Sequence, residues 1–445
     1  MDLSKAGERE GGELRVAQMH LLRELILVET ADAKPTLYAF DRANLNSAWV
    51  ATIHEATKFT VAEGPDVIYL VSAHYVHAIN SGTGTRALRL PSGLAAPPLR
   101  LPFTPTGGAA AQSGTFYVPS LGSPGNNKNM ESFSGVTGQR GWGYRAHGRI
   151  RGDLKMGGSW GDPKLYFATH RGKLVCMDAK NYAYRPADVR WDHWLDDPIE
   201  HDFFVTRDAS DGKPGAIFAA DRSGGVYCID RITGVRRWVN HSGQHPVGGV
   251  AVFGDVCVVP MASGLYAYDT TNVLYNVNVD RGNGEMTSHT VRGSKLFRVG
   301  GGATADIQTG GSTIALTLEI QGEVLYAAAA GDDEAQIVVN GSAAGNRAAV
   351  RGGDSISVGD TQITIVDRGQ EPLWKDLEYE RAVARVGDRL VVANGSELSV
   401  VNARTGEKEA GPVALPGARI IPANTDDGTL FVVGGDAVVY ALLPR

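Results

Sequence analysis

Short apolar runs, separated by turns rich in Gly, Asn and Asp, fill this chain almost from end to end. DVIYLVS (66–72), KLYFATH (164–170), AIFAAD (216–221), DVCVVPM (255–261) and RLVVANG (389–395) are dense in β-branched and aromatic residues. Each is followed by a polar turn and a second run of period-two character. That is the pattern of antiparallel hairpins. No run of 18 or more apolar residues occurs, so no segment is suited to cross a membrane as a helix.

The second run ends in a recurring phrase, Asp or Asn followed three residues later by Thr or Asn. It reads LYAFDRAN (37–44), VHAINSGTG (76–84), LVCMDAKN (174–181), VYCIDRITG (226–234), LYAYDTTN (265–272) and LSVVNARTG (398–406). The Asp or Asn is suited to accept backbone N–H bonds from the turn, and Gly84, Gly234 and Gly406 to take positive φ. Asp41 to Trp49 and Asp230 to Trp238 share one offset, and Asn80 meets Leu88 there. The Trp position is expected to cover the gap between neighbouring sheets.

A unit of roughly 40 residues with four short strands predicts an all-β chain folded as a closed β-propeller of four-stranded antiparallel blades. First-strand candidates begin near residues 25, 67, 115, 164, 216, 256, 295, 389 and 429. Eight blades are expected, with seven to nine open. The last unit, TLFVVGGDAVVYALLPR (429–445), lacks a final strand, and ELRVAQMH (13–20) is expected to supply it and close the ring.

VYCIDRITGVRRW (226–238) resembles the repeat of the PQQ-like β-propeller superfamily, an aliphatic run followed by Asp, Thr-Gly and Trp. The resemblance covers most of the chain and implies the fold. It leaves the activity open, because the superfamily holds quinone-dependent dehydrogenases and non-enzymatic platforms such as the outer-membrane assembly lipoprotein. Its members are usually exported, which implies a periplasmic or cell-envelope location. The N-terminal MDLSKAGEREGGELRV has no apolar core of a signal peptide, so a cytoplasmic location is the alternative.

Two stretches break the repeat. Residues 119–160 are rich in Gly, Ser and Asn yet carry Arg140, Trp142, Tyr144, Arg145, His147 and Arg149. These six are the candidate partner-binding residues, since loops on rigid scaffolds carry such anchors. The alternative is that they pack the loop onto its own blade. Residues 300–372 are expected to form a β-rich insertion between propeller segments 1–299 and 373–445. Within it, IVVNG (337–341) and GGDSISVGDTQITI (352–365) resemble the C-terminal half of a forkhead-associated β-sandwich, without that family's phosphothreonine-reading elements. Asp367 and Trp374 nearly repeat the blade spacing. Either they end a blade that begins at LFRVG (296–300), or the stretch from about 290 to 375 is all insertion.

Charge and chemistry narrow the function. A net charge of −6 and a pI near 6.0 provide no basic stripe for a nucleic-acid backbone. Cys176 and Cys228 stand where Ala39, Ala78 and Ala267 stand in sister repeats, a small-residue packing position. No Cys pair is adjacent and no CxxCH occurs, so no cofactor is expected. DVRWDHWLDDPIEHD (188–202) gathers acids and histidines around Trp191 and Trp194. Asp192, His193, His201 and Asp202 are its metal-ligand candidates, but the spacing matches no defined metal loop. A solvated connection between blades explains the segment equally well, and no metal is assigned. His74 and His77 fall on opposite faces of a strand.

The resulting expectation is a non-catalytic scaffold that binds a protein partner or envelope component through the loops and insertion on one face. A quinoprotein-like dehydrogenase acting on sugars or alcohols in the central funnel is the alternative. It predicts a funnel lined with carboxylates and a cation. A third reading makes the chain a subunit of a larger surface assembly, docked through the insertion.

Overall fold

Every unit of the repeat folds as an antiparallel meander, because each apolar run is too short for anything but a hairpin with its neighbour. The computed structural model describes residues 15–445 except 113, 122–127, 160–161, 180–182, 184–188, 208–214, 271–273, 281–285, 293–295, 302–303, 309–313, 322–323, 331–336, 359–360, 367–370, 416–417, 426–427, 435–437 and 443–445. Among the described residues there is no helix. The first sheet runs Val16–Leu21, Leu25–Thr30, Thr36–Asp41 and Ser47–Thr52, each strand bonded to the next. Sheets of the same order follow over 62–100, 110–144, 150–194 and 204–241, and again over 381–414.

Consecutive sheets share a core. Leu27, Leu37 and Ala39 of the first sheet meet Ile68, Leu70 and Ile79 of the second. Tyr166 and Cys176 of the fourth meet Ile217, Tyr227 and Ile229 of the fifth. The eighth sheet, Ala418–Ile420, Leu430–Gly434 and Val439–Leu442, brings Phe431, Val433 and Val439 against Ile26, Val28, Tyr38 and Phe40 of the first. Arg42 and Asn424 hydrogen-bond across that junction at 2.7 Å. Sheets packed face to face in this sequence form a β-propeller.

The repeated phrase does the work its residue types require. Asp230 Oδ1 accepts the N–H groups of Ile232 and Thr233 at 3.0 and 2.8 Å, and Asn80 Oδ1 those of Gly82 and Thr83 at 3.1 and 3.0 Å. Trp49, Trp191 and Trp374 each reach across to the next sheet's turn. Their indole N–H groups donate to Ser81 O (2.7 Å), Arg231 O (3.1 Å) and Ala403 O (2.9 Å). The turn glycine lies under each ring. At Gly234, with φ of +70°, a Cβ would come within 2.5 Å of Trp191. Leu88 covers Gly138 in the same way. That contact exposes a copy that the sequence pattern hides, because Ser134 Oγ replaces the Asp and caps Val136 and Thr137.

Three sequence expectations change. The runs read as first strands are second strands, each preceded by an inner strand, except the run near 295, which lies in neither position of a propeller sheet. Ala62–Glu63 and Phe204–Val205 have two residues each, too few to show any periodicity. The run 13–20 does not complete the eighth sheet. Its described part lies in Val16–Leu21, which pairs with Leu25–Thr30 inside the first sheet, Met19 opposite Val28. Finally, Trp374 does end a blade, though not one starting at 296. Trp374–Asp376 is the fourth strand of the sixth sheet, after Ala251–Phe253, Val256–Met261 and Gly264–Asp269, with Ala267 opposite Trp374. Asp367 lies outside the described residues.

Between Gly264–Asp269 and Trp374–Asp376 stand two further sheets, one six-stranded and one five-stranded. They take in Leu274–Asp280 and Met286–Arg292 as well as the strands from Phe297–Gly300 to Thr361–Ile365. Their shared core, with Tyr275, Val277, Leu318, Leu325, Ile356 and Ile363, contains no propeller residue. In the segment that resembles a forkhead-associated hairpin, Asn340 (φ +52°) donates to Asp354 Oδ1 (2.8 Å) and accepts from the Ser355 N–H (2.9 Å). There the Asn-Gly and Gly-Asp elements brace a turn.

Candidate binding face and central channel

Of the six candidates of the 140–149 segment, Trp142 is buried, Tyr144 half-buried, and Arg140, Arg145, His147 and Arg149 exposed. Arg140–Tyr144 is the outer strand of the third sheet. Arg140 pairs with the buried Glu131, its Nε 3.0 Å from Oε2. Trp142 is buried against Tyr117, ring centroids 5.5 Å apart, and Tyr144 lies 5.9 Å from Phe167 of the fourth sheet. Burial, reinforced by the Asp192 carboxylate, raises the Tyr144 phenol above its usual range. The packing alternative therefore describes these three. Arg145, His147 and Arg149 are exposed on the loop that follows. The loop is tied down: the Arg149 N–H donates to His170 Nδ1 at 2.9 Å, and the His170 N–H to Arg149 O at 2.9 Å.

The four metal candidates do not converge. Asp192 pairs with Lys173 at 2.8 Å. His193 has its Nε2 buried, and burial lowers its pKa, with Arg236 adding to the shift. His201 Nε2 lies 3.0 Å from Pro246 O. Asp202 faces a different cluster altogether. Among the described residues, no group of three or more His, Cys, Asp or Glu is placed to hold a metal ion. Strand alternation sends neighbouring side chains to opposite faces, so sequence density did not become spatial density.

Asp202 belongs to the central channel. A cavity of about 460 Å3 is lined by Gln18 and His20 of the first sheet, Thr60, Thr106 and Gly107 from the entries to the second and third, and Asp153 and Asp202 from the fourth and fifth. Asp153 Oδ1 accepts the Gly108 N–H at 2.6 Å, and the Asp153 N–H donates to Asp202 Oδ1 at 3.0 Å. Lys155 Nζ stands 3.6 Å from the second oxygen of each carboxylate. Close approach of backbone builds this cluster. A Cβ on Gly107 would meet Gly152 O at 1.7 Å, and one on Gly152 (φ +70°) would meet Asp202 Oδ1 at 2.3 Å.

Burial raises the Asp202 pKa and the Asp153 carboxylate adds to it, while Lys155 opposes both. Burial lowers His20 to about 4 despite Asp153, so its ring is neutral at pH 7. The channel thus holds two carboxylates bridged by one ammonium group beside a neutral imidazole, an arrangement able to hold a small amine or polyol. Asp153 and Lys155 escaped the sequence reading. Their only signal is Gly or Asp at matching places beside or within the inner strands of four sheets: TGGA (106–109), RGDL (151–154), HDFF (201–204) and VGGV (247–250).

A quinone site of the dehydrogenase type does not fit these residues. Cys176, Cys228 and Cys257 are free thiols buried in three separate strands. Burial raises the Cys176 thiol to about 11 and Cys257 well above its usual value. The carboxylates in the channel are already held by backbone N–H groups and Lys155.

No family model matches the chain, and no curated protein matches it in sequence. Among solved structures, the computationally designed protein Ika8 aligns over 98% of this chain and 98% of its own, with 10% identity and a TM-score of 0.51. BamB from Moraxella catarrhalis aligns over 96% and 94% at 11% identity and a TM-score of 0.38. The quinohemoprotein alcohol dehydrogenase from Comamonas testosteroni aligns over 94% and 70% at 12% identity and a TM-score of 0.46. At 10% identity the likeness to Ika8 is one of fold alone. The chain has the fold of a β-propeller. Its strand order and its Trp-on-turn contacts carry that statement on their own. Fold does not transfer activity, so the propeller's role has to be argued from its surfaces.

Proposed function

We propose that this propeller is a non-catalytic binding platform that engages a protein partner, or a component of the cell envelope, through the loop-bearing face and the two-sheet insertion. One observation carries the reading: Arg145, His147 and Arg149 are exposed on a loop whose base, Trp142 and Tyr144, is fixed in the core between the third and fourth sheets. Contact residues on a rigid base lose little conformational entropy on binding. The insertion supports the same reading. It adds surface without disturbing the sixth sheet, whose fourth strand still docks Trp374 on the next turn. An envelope location is part of this proposal, and cell fractionation tests it. No described helix is long and apolar enough to cross a membrane.

The test is in-cell crosslinking with the triple replacement Arg145→Ser, His147→Ser and Arg149→Ser. The expected outcome is loss of the crosslinked partner at an unchanged melting temperature. Undiminished crosslinking overturns the use of this loop.

The channel favours a second reading, a small-ligand site behind the alternative of a funnel enzyme. Its observation is the Asp153–Lys155–Asp202 cluster. Amines and polyols at millimolar concentration are then expected to raise the melting temperature of the native chain and not of the Asp202→Asn variant. A flat response to all of them removes this reading.

A further inference from the structure

We infer that the rim of the fourth sheet around Trp194 docks a short acidic segment of a partner protein, one that also carries an apolar side chain. The inference rests on the platform reading and names the chemistry of its partner.

The repeat accounts for Trp191, which covers the fifth sheet's turn. It gives no reason for Trp194, three residues on in the same strand and 53% exposed. Trp194 is also held in place: it sits opposite Lys173 in the sheet, with the Lys173 ammonium 5.2 Å from its ring centroid. Three arginines stand in the turns and loop at this end of the sheet. Arg171 lies in the turn before Lys173, and the Leu195 N–H bonds Gly172 O at 2.8 Å, tying that turn to the residue after Trp194. Arg149 belongs to the loop hydrogen-bonded to His170, and Arg145 to the start of that loop.

Arg145, Arg149 and Arg171 are exposed and form no ion pair among the described residues. Of the nearby acids, Asp192 is engaged by Lys173 at 2.8 Å and Asp197 by Arg222 at 3.1 Å, while the exposed Asp196 has His241 at 3.8 Å. Unpaired arginines beside an exposed tryptophan have the composition of interface anchors. They attract negative charge, and the indole offers an apolar contact next to it. The footprint is local. The whole chain carries a net charge of −6, so a long polyanion or an anionic membrane would be repelled beyond this rim. A short acidic segment is not.

The experiment is a fluorescence-anisotropy titration of the full chain with a labelled glutamate-rich peptide carrying one central leucine, repeated with its unlabelled form under acrylamide quenching. Saturable binding is expected, weakening about tenfold or more between about 50 and 500 mM salt. The reversals Arg145→Glu, Arg149→Glu and Arg171→Glu together are expected to weaken it by at least about tenfold. Trp194→Ala is expected to weaken it about threefold or more. Bound peptide is expected to shield tryptophan emission from acrylamide in the native chain and not in Trp194→Ala. Melting curves confirm that the variants are folded. Absent binding, binding indifferent to the reversals, or binding of anionic vesicles or heparin through these arginines without peptide binding overturns the inference. If the peptide fails while partner crosslinking still depends on the 145–149 loop, this inference falls and the platform reading stands. If both fail, the platform reading falls with it.

Discussion

At the residue scale, the Asp-x-x-Thr-Gly phrase is structural chemistry with defined partners. Gly234 shows how tightly it is constrained, with its left-handed φ and Trp191 directly above. Gly234→Ala is expected to destabilise the fold by about 1–3 kcal/mol in urea denaturation. The histidines give a pH dependence with a definite sign. Burial lowers His77 to about 4, with His54 and Arg86 adding to the shift and Glu55 opposing it. Between pH 6.5 and 4 the unfolded chain binds a proton that the folded chain refuses. The contribution of His77 is therefore fully present above pH 6.5 and is lost as pH falls towards 4. The loss is expected to reach about 3 kcal/mol, with His20 adding a similar amount. Comparing the unfolding free energies of His77→Gln and the native chain at pH 7 and near pH 4 checks this; equal losses in both would contradict it.

At the element scale, the insertion is the informative feature. The chain leaves the sixth sheet after Asp269, builds two sheets around their own core, and returns at Trp374 to the position where a fourth strand belongs. Because no propeller residue shares that core, replacing 270–372 with a short turn should leave the propeller intact. The expected outcome is one cooperative melt, shifted by less than about 5 °C. Trp238 carries a trace of this departure. It occupies the covering position over the sixth sheet's turn, yet its Nε1 is buried without a hydrogen-bond partner among the described residues, stacked instead on Tyr268 at 5.9 Å. The turn that the other tryptophans bond is the point where this insertion departs.

At the scale of the whole molecule, the last sheet packs on the first. Phe431 is buried at the junction of the eighth sheet with the first, and the Arg42 guanidinium lies 5.7 Å from its ring centroid. Phe431→Ala is expected to cost about 3–5 kcal/mol by opening a cavity where the end of the chain meets its start. A value below about 1 kcal/mol in chemical denaturation would mean that this junction contributes little to the cooperative fold. The same arrangement gathers the channel cluster, since residues 20, 107, 153 and 202 come from four different sheets and meet only when those sheets are side by side.

The sequence by itself determined the local chemistry: strand runs with period two, turns capped by Asp or Asn, glycines at positive φ, and tryptophans at a fixed offset. These depend on contacts within a hairpin or between adjacent repeats, so their residue types recur and can be read. The exposed part of the 140–149 segment was legible for the same reason, as cations outside the repeat. Tertiary structure alone decided the rest. Inner strands of two or three residues carry no period, so the phase of the sheets that begin with them was hidden. The return from Asp269 to Trp374, across about a hundred residues, shows locally only as the spacing before Trp374, which does not name the sheet it rejoins. The pairing of Asp153 with Asp202, the separation of Asp192, His193 and His201, and the exposure of Trp194 beside three unpaired arginines all follow from which sheets are neighbours and which way each strand faces.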